Sequence, residues 1–439
     1  MLEQIYLAGV IGAGGAGFPT HHKLTRPVQW LIANGAECEP LVASGRYNMR
    51  HSADQIVAGL EAVRQAVGRP RCVIATKAKY GSETEALRSA ISQAGVPAEI
   101  RPLEDFYPVG DEHVLVYEIT GLTVPPGGLP LDLGVVVLNV TTLMNIHQAT
   151  MSQPVTRHLA TVTGSVAAPC LVDAPVGATG DDLIRAAGGA TVSAWAAIQG
   201  GPMMGRVHSA AAIKQVDFGK ADSALIVLPA SHRLVGFYDQ PYEAQLADAK
   251  TACIQCARCT DLCPRFLIGQ RIRPHRVVRA VNRGGDSADL VDALACGQCG
   301  LCELFACPQG VAPRQISRQV KQQLRAAGRS LTDVRVRSAQ TTDRQNRRVW
   351  QSQLIERLDL ADYPTALDKV VRLDPDQVII RLSQGVGSAA RPEVKSGDQV
   401  KVGDLIGWVD QSEAGALVHA SIDGRVSQVT PAVVKLESG

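Results

Sequence analysis

Two cysteine runs in the second half of the chain limit its possible folds more than any other feature. The first reads Cys253-x2-Cys256-x2-Cys259-x3-Cys263-Pro264, and the second Cys296-x2-Cys299-x2-Cys302-x4-Cys307-Pro308. Three cysteines at every third position of a short turning loop aim three thiolates at one iron–sulfur cubane, and the loop's peptide N–H groups point at the sulfides. A remote fourth cysteine before proline completes the pattern and serves the other cluster. The spacing therefore assigns Cys253, Cys256, Cys259 and Cys307 to one [4Fe–4S] cluster, and Cys296, Cys299, Cys302 and Cys263 to a second. The second run is irregular, with four residues before its last cysteine, Phe305 and Ala306 among them. CxxC pairs also make Zn–S4 sites, and cysteines also form disulfides. A third cysteine at the same spacing, repeated twice and closed each time by Cys-Pro, favours iron–sulfur over both.

A chain of 439 residues suggests about three domains. Hydrophobic residues make up 46% and aromatics only 4%, so the cores must be built from Val, Leu, Ile and Ala. A net charge of +2 argues neither for nucleic acid nor for a strongly acidic partner. No apolar run approaches the roughly 18 residues of a membrane helix; the stretch from Gly134 to Val140 is among the longest. The opening Met1-Leu2-Glu3-Gln4 lacks a basic segment, so no secretory signal is expected. Eight of the 11 cysteines lie in the two runs. Cys38, Cys72 and Cys170 are scattered and odd in number, which suits a reducing compartment. The expectation is a cytoplasmic redox protein without a transmembrane segment.

Near the N-terminus, the apolar segment Ile5 to Ile11 runs into Gly12-Ala13-Gly14-Gly15-Ala16-Gly17-Phe18-Pro19-Thr20. Glycines without Cβ atoms let peptide N–H groups approach a phosphate or a flat ring. Gly12, Gly14 and Gly17 fit GxGxxG, a pattern that plain tight turns also produce. A buried strand over Val28 to Ala33 leads into Asn34-Gly35-Ala36-Glu37-Cys38-Glu39-Pro40. Acidic residues just past a strand, about 20 residues beyond such glycines, are where ribose hydroxyls are held; a solvated loop and an inert thiol are the plainer account of Glu37, Glu39 and Cys38. Helical spacing over Ser52 to Val67, a strand over Arg71 to Thr76, a helix over Ser82 to Ala94 and a strand over Ala98 to Pro102 follow. A helix to about Thr120 and a strand over Gly134 to Leu138 complete an α/β domain with a mostly parallel sheet. Ligands in such sheets sit beyond the carboxyl ends of the strands, where Asn34 and Asn139 fall.

These motifs carry a resemblance. The glycine run, Asn-Gly-Ala-Glu-Cys-Glu-Pro, Tyr107-Pro-x-Gly110 and Asn139-Val-x-Thr142 resemble the flavin- and NADH-binding subunit of respiratory complex I, and still more the RnfC component of the Rnf electron-transfer complex. The resemblance implies FMN held by Gly12, Gly14, Lys23, Asn34, Tyr107, Gly110, Asn139 and Thr142. It implies NADH stacked near Phe18, with Glu37 and Glu39 close by. Ala36 departs from the complex I subunits, which usually carry an acid there.

From Val155 to about Leu228 the texture changes to short strands (Thr161 to Val166, Leu171 to Val176) and a helix over Gly180 to Ala187. In RnfC a run similar to Gly200-Gly201-Pro202-Met203-Met204-Gly205 sits in a β-grasp domain of the soluble-ligand-binding type. Met203 and Met204 are candidate metal ligands, though adjacent methionines more often serve as adaptable packing. Between the cysteine runs lie Arg265, Arg271, Arg273, His275, Arg276, Arg279 and Arg283, a solvated face or a positive field beside the clusters. His275 matters only if it sits against a cluster. Arg314 to Ala327 reads as a helix and Arg335 to Arg348 as a linker or exposed arm. Strands over Gln377 to Leu382, Glu393 to Val400, Asp404 to Val409, Gly415 to Ala420 and Arg425 to Val429 suggest an all-β module. It resembles a lipoyl-type barrel-sandwich without a lysine at the turn Ile422 to Arg425, a structural or docking unit and not a swinging arm.

The expected architecture is α/β multidomain: a Rossmann-like FMN/NADH domain (1–154), a β-grasp SLBB-type domain (155–235), a 2[4Fe–4S] ferredoxin-like helical domain (236–328), a linker (329–370) and a barrel-sandwich hybrid (371–439). A flavin converts two-electron donation by NADH into the single electrons that clusters accept. No general acid or base is nominated. The whole chain, with its sandwich at the C-terminal end and with Cys302-Glu-Leu-Phe-Ala-Cys307, resembles the cobalamin reductases of propanediol-utilisation microcompartments. That likeness implies cobalamin as acceptor, an adenosyltransferase and microcompartment proteins as partners, and a place inside a bacterial microcompartment. An Rnf-type entry subunit of a membrane complex and a non-enzymatic electron carrier are the alternatives.

Overall fold

The computed structural model describes residues 1–284, 287–331 and 343–439. Its first unit begins with helix α1 (Leu2–Leu7) and contains strands β1 (Trp30–Asn34), β2 (Arg71–Lys77), β3 (Ala98–Leu103), β4 (Phe106–Tyr107) and β5 (Val135–Asn139). Helices α2 (Ser44–His51), α3 (Ala53–Ala66), α4 (Gly81–Ala94), α5 (Glu112–Thr120) and α6 (Val140–Thr150) connect them. β3, β2, β1 and β5 form one parallel sheet in that spatial order. The strands read as unbroken apolar runs because both faces are covered. Leu31, Ala33, Ile74 and Leu138 pack on α3 and α6 through Ile56, Leu60 and Leu143. Ile32, Val73, Val135 and Val137 point the other way, onto Val114 and Leu115 of α5.

The glycine loop departs from the expected dinucleotide fingerprint. It follows a helix, is pinched at its base by an antiparallel bridge between Ile11 and Pro19, and enters a single 3₁₀ turn over Thr20–Lys23. Strand and long helix, which a GxGxxG loop normally joins, are both missing on its flanks.

The second unit is a six-stranded mixed sheet. It comprises β6 (Arg157–Gly164), β7 (Cys170–Pro175), β8 (Trp195–Gln199), β9 (Arg206–Ser209) and β10 (Ala224–Pro229), with α7 (Gly180–Ala186) across one face, and its sixth strand comes from later in the chain. The third is helical: α8 (Arg233–Asp239), α9 (Tyr242–Ala252), α10 (Arg258–Asp261), α11 (Pro264–Leu267), α12 (Pro274–Arg283), α13 (Leu301–Leu304) and α14 (Pro313–Ala326). Its apolar core is small, with Ala249, Val277, Val278, Ile316 and Val320 at its centre. Among the described residues no helix is long and apolar enough to cross a membrane.

The segment after α14 returns to both earlier units. β11 (Val349–Trp350) pairs with β4, α15 (Gln351–Arg357) follows, and β12 (Val370–Arg372) joins the second sheet beside β7. The expected basic arm lies outside the described residues over 335–342. In its remainder Asp343, Gln345 and Asn346 are exposed, but Arg344 and Arg348 are clamped: both pair with Glu118 and cover the rings of Tyr117 and Phe106. The chain ends in β13 (Gln377–Arg381), β14 (Arg391–Pro392), β15 (Gln399–Val400), β16 (Leu405–Trp408), β17 (Val418–His419), β18 (Gly424–Val429) and β19 (Val433–Glu437), two small sheets around one core. The expected strand over Glu393 to Val400 is broken by a turn, in which Asp398 accepts from Lys395 N and Gly397 takes a φ of 100°.

Candidate redox site

In register, Asn34 lies opposite Asn139 at the carboxyl ends of β1 and β5. The chain leaves β1 toward β2 on one side and reaches β5 on the other, so this is the switch point where open α/β sheets bind ligands. Asn139 caps α6 by accepting from Thr141 N at 2.8 Å. The Asn34 amide donates to Gly110 O at 3.0 Å, and its oxygen accepts from Ala36 N at 3.1 Å. Ala13 N donates to Thr142 Oγ1 at 2.9 Å, which ties the glycine loop to the start of α6. Lys23 Nζ reaches Glu112 at 2.9 Å and lies 5.7 Å from the centre of the Phe18 ring. Gly12, Gly14, Phe18, Lys23, Asn34, Gly110, Asn139 and Thr142 are thus gathered at one sheet edge.

The glycines divide into two groups. A Cβ on Gly12 or Gly14 would meet protein only at ordinary contact distances of 3.5–3.6 Å, and one on Gly15 would meet nothing. For Gly12 and Gly14 the bareness is not demanded by the protein's own packing, and it fits a cradle for a flat ring and phosphate, whereas Gly15 has a φ of 97°, which itself favours glycine. Gly17 and Gly110 are different, because a Cβ there would fall 2.7 Å from Gly385 Cα and 2.5 Å from Ala36 O. Close backbone packing accounts for both.

Glu39 and Tyr107 bind into a seam between units, whereas the partners of Glu37 lie within the first unit. Glu39 Oε2 accepts from Met203 N at 2.9 Å, and a Cβ on Gly201 would lie 2.1 Å from that oxygen. Its other oxygen is buried with no hydrogen-bond partner among the described residues. Burial pushes the Glu39 carboxyl up to about 8. Glu37 is also raised by burial, with Lys77 opposing, and its carbonyl accepts from Tyr80 OH. The buried Tyr107 donates to Cys299 O at 2.6 Å. The Gly-Gly-Pro-Met-Met-Gly turn is the hub of this seam, since Met203 O also accepts from Tyr238 OH and Arg314 Nη1. Met203 is core and Met204 is exposed, so the two side chains do not share one environment and only Met203 packs.

The structure sorts the cysteines into two sets of four. Cys263, Cys296, Cys299 and Cys302 line one cavity together with Asp111, Arg265 and Arg314. Cys253, Cys256, Cys259 and Cys307 line another with His275. The two loops share a conformation: Gln255 and Ala257 in the first, and Gln298 and Gly300 in the second, all have φ between 57° and 79°. These left-handed residues wrap each loop around its cavity. The extra residue of the second run is absorbed where α13 ends, as Phe305 N and Ala306 N both donate to Leu301 O. Burial and the neighbouring thiols push Cys259 up to about 12, and burial pushes Cys263 to about 12. Buried thiols stay protonated unless a cation replaces the protons, so iron would displace them.

Several neighbours of these cavities have no sequence signal. Asp111 caps α5 and pairs with Arg265 at 2.9 Å, which brings the first unit into the wall of the second cysteine set. Arg271 and Arg273 are held by the fully buried Asp292, and the ring of His275 bonds Thr260 at 2.6 Å. The basic stretch is therefore largely paired structure beside the cavities, and Arg276, Arg279 and Arg283 are what it leaves exposed on α12. Glycines and cysteines announce themselves by spacing, whereas these residues are brought in by tertiary packing alone.

Four family models match the chain: the Nuo51 FMN-binding domain (5–148), the SLBB domain (159–207), a 4Fe-4S dicluster domain (252–312) and the RnfC barrel sandwich hybrid domain (365–439). Cobalamin reductase PduS of Citrobacter freundii is 39% identical over 432 residues, covering 98% of this chain and 94% of the relative. The protein of the same name from Salmonella typhimurium is 38% identical over 444 residues, covering 100% and 96%. A component of the proton-translocating ferredoxin:NAD(+) oxidoreductase complex of Clostridium ljungdahlii is 31% identical over 274 residues, covering 61% and 56%. Among solved structures, an NAD+-reducing [NiFe]-hydrogenase in its H2-reduced state matches with a TM-score of 0.51 at 19% identity, covering 75% of this chain and 66% of that one. At that identity the likeness concerns the fold alone.

Proposed function

This chain belongs to the PduS cobalamin reductase family, a group of flavin and iron–sulfur oxidoreductases, and we propose that it carries electrons from NADH, through FMN and two [4Fe–4S] clusters, to cobalamin. The product would be cob(II)alamin and then cob(I)alamin, for coenzyme B12 regeneration in 1,2-propanediol degradation. The observation that carries the reading is the shared wall between the first unit and the second cysteine set. Asp111 lines the cavity of Cys263, Cys296, Cys299 and Cys302, and Tyr107 holds the Cys299 carbonyl. The cavity of the other set is lined by residues from 253 to 313 alone, and Cys256 is exposed to solvent. One set thus adjoins the flavin cradle and the other adjoins the outside, where a large acceptor can approach.

Bound FMN supplies the conversion between two-electron and one-electron transfer. The chain's part is positioning. Gly12, Gly14 and Gly15 leave room for the ring and phosphate, Lys23 offers positive charge, and Asn34, Asn139 and Thr142 fix the edge of the cradle. Phe18 gives the nicotinamide an apolar neighbour, and Glu37 and Glu39 stand on the loop that follows β1. The eight cysteines hold the clusters, and the seam through Tyr107 and Met203 keeps the two units in register. The resemblance further suggests an adenosyltransferase and microcompartment proteins as partners, and a cytoplasmic place inside a microcompartment.

Anaerobic incubation with NADH and aquacobalamin, following the corrin spectrum, tests this reading. Conversion of the cob(III)alamin bands to those of cob(II)alamin, dependent on enzyme and NADH, is expected. A corrin spectrum that stays unchanged while NADH bleaches the flavin would remove cobalamin from the account.

A further inference from the structure

Gln255 and Gln298 occupy equivalent places in the two cysteine loops, each just before the second cysteine of its run. Both have left-handed backbone, with φ of 57° and 61°. Glycine adopts that conformation without a Cβ penalty, whereas a residue with a side chain is disfavoured there. Each glutamine nevertheless stands there and folds its side chain back two residues onto a thiol. Gln255 Nε2 donates to Cys253 Sγ at 3.2 Å, and Gln298 Nε2 donates to Cys296 Sγ at 3.1 Å. The contact occurs twice, at matching positions of two loops that differ in sequence at their other residues.

We propose that Gln255 and Gln298 are paired tuning residues, whose amide N–H groups stabilise the reduced form of the cluster that each adjoining cysteine holds. The proposal rests on the assignment of the eight cysteines to two clusters. An added electron increases negative charge on the ligand sulfurs, and a hydrogen bond to a charged acceptor is worth more than one to a neutral acceptor. Each donor therefore raises its cluster's potential. The two contributions are unequal. Gln298 is partly buried and Gln255 is exposed, so water can replace the lost donor at Gln255 but only partly at Gln298.

The test is EPR-monitored potentiometric titration of anaerobic holoenzyme, using chemical mediators so that neither NADH nor cobalamin is needed. Gln298→Leu is expected to lower the midpoint potential of one cluster with iron and sulfide content unchanged. Gln255→Leu is expected to lower the other by less. Midpoints equal to wild type in both variants, with iron retained, would overturn the proposal, as would an upward shift. If Gln298→Leu loses iron, wild-type protein carrying 15N in its glutamine side chains decides the matter: a 15N coupling to the reduced clusters is expected, and its absence is contrary. A wild type with no cluster signal at all ends the cluster assignment and this proposal together, whereas normal signals with unmoved midpoints end this proposal alone.

Discussion

Gly14 shows how a single position separates the fold from the site. Its missing Cβ would sit 3.5 Å from Asn139, an ordinary contact, so the protein can accept a side chain there while the cradle cannot. Gly14→Val is accordingly expected to fold, to keep its cluster iron and to lose bound FMN and NADH oxidation together. Flavin content and turnover equal to wild type would take the loop out of the site. Gly110→Ala should behave differently, because its Cβ would press on Ala36 O at 2.5 Å and disturb the core itself. A fall in melting temperature that accompanies flavin loss identifies that case.

At the scale of elements, two buried charges join units that lie far apart in sequence. Arg314 of α14 pairs with the fully buried Glu303 at 2.6 Å and donates to Met203 O. Breaking such a pair leaves one charge uncompensated and costs about 3–5 kcal/mol. Arg314→Met should therefore destabilise the holoenzyme by about that much, and Glu303→Gln combined with it should restore part of the loss, measured by denaturant unfolding. Lys220 is the second case. It is buried with no acidic partner among the described residues and donates to Gly9 O and Leu417 O, joining the first, second and last units. Burial lowers its amine to about 7 from the usual 10.5. Between those values the unfolded chain binds the extra proton, so stability gains up to about 1.4 kcal/mol per pH unit as pH rises from about 7 toward 10. Melting curves from pH 7 to 9 should show the rise in wild type and lose it in Lys220→Met.

Much of this organisation could be read from residue order. The strands β1, β2 and β5 were legible because a doubly covered sheet demands continuous Val, Ile and Leu, and the cysteine sets because a cubane imposes a three-residue spacing. Asn34 and Asn139 were legible as strand ends. What remained hidden depends on contacts across long separations. Asp111 meets Arg265 across 154 residues and Tyr107 meets Cys299 across 192. Lys220 has the sequence context of a surface lysine, and the polar stretch after α14 gave no sign that Val349 would pair with Tyr107 or that α15 would pack against the first unit. β19 was missed because Thr430 and Pro431 look like an end and not a hairpin.

For the molecule as a whole, a path from flavin to an outside acceptor requires two unlike cluster positions, one against the first unit and one facing solvent. Cys256→Ala should remove the iron of the outer set while FMN stays bound, and Cys299→Ala should remove that of the inner set. Light-driven reduction of the bound flavin should then give a reduced-cluster EPR signal in Cys256→Ala and little in Cys299→Ala, although dithionite gives a signal in both. Signals of equal size after illumination would deny the inward and outward distinction. The most direct measurement is simpler. Anaerobically prepared wild-type protein should contain about eight iron atoms and about eight acid-labile sulfides per chain, the content of two [4Fe–4S] clusters, with one FMN that NADH bleaches. Tetrahedral zinc without labile sulfide, or a chain that binds no flavin, would contradict it.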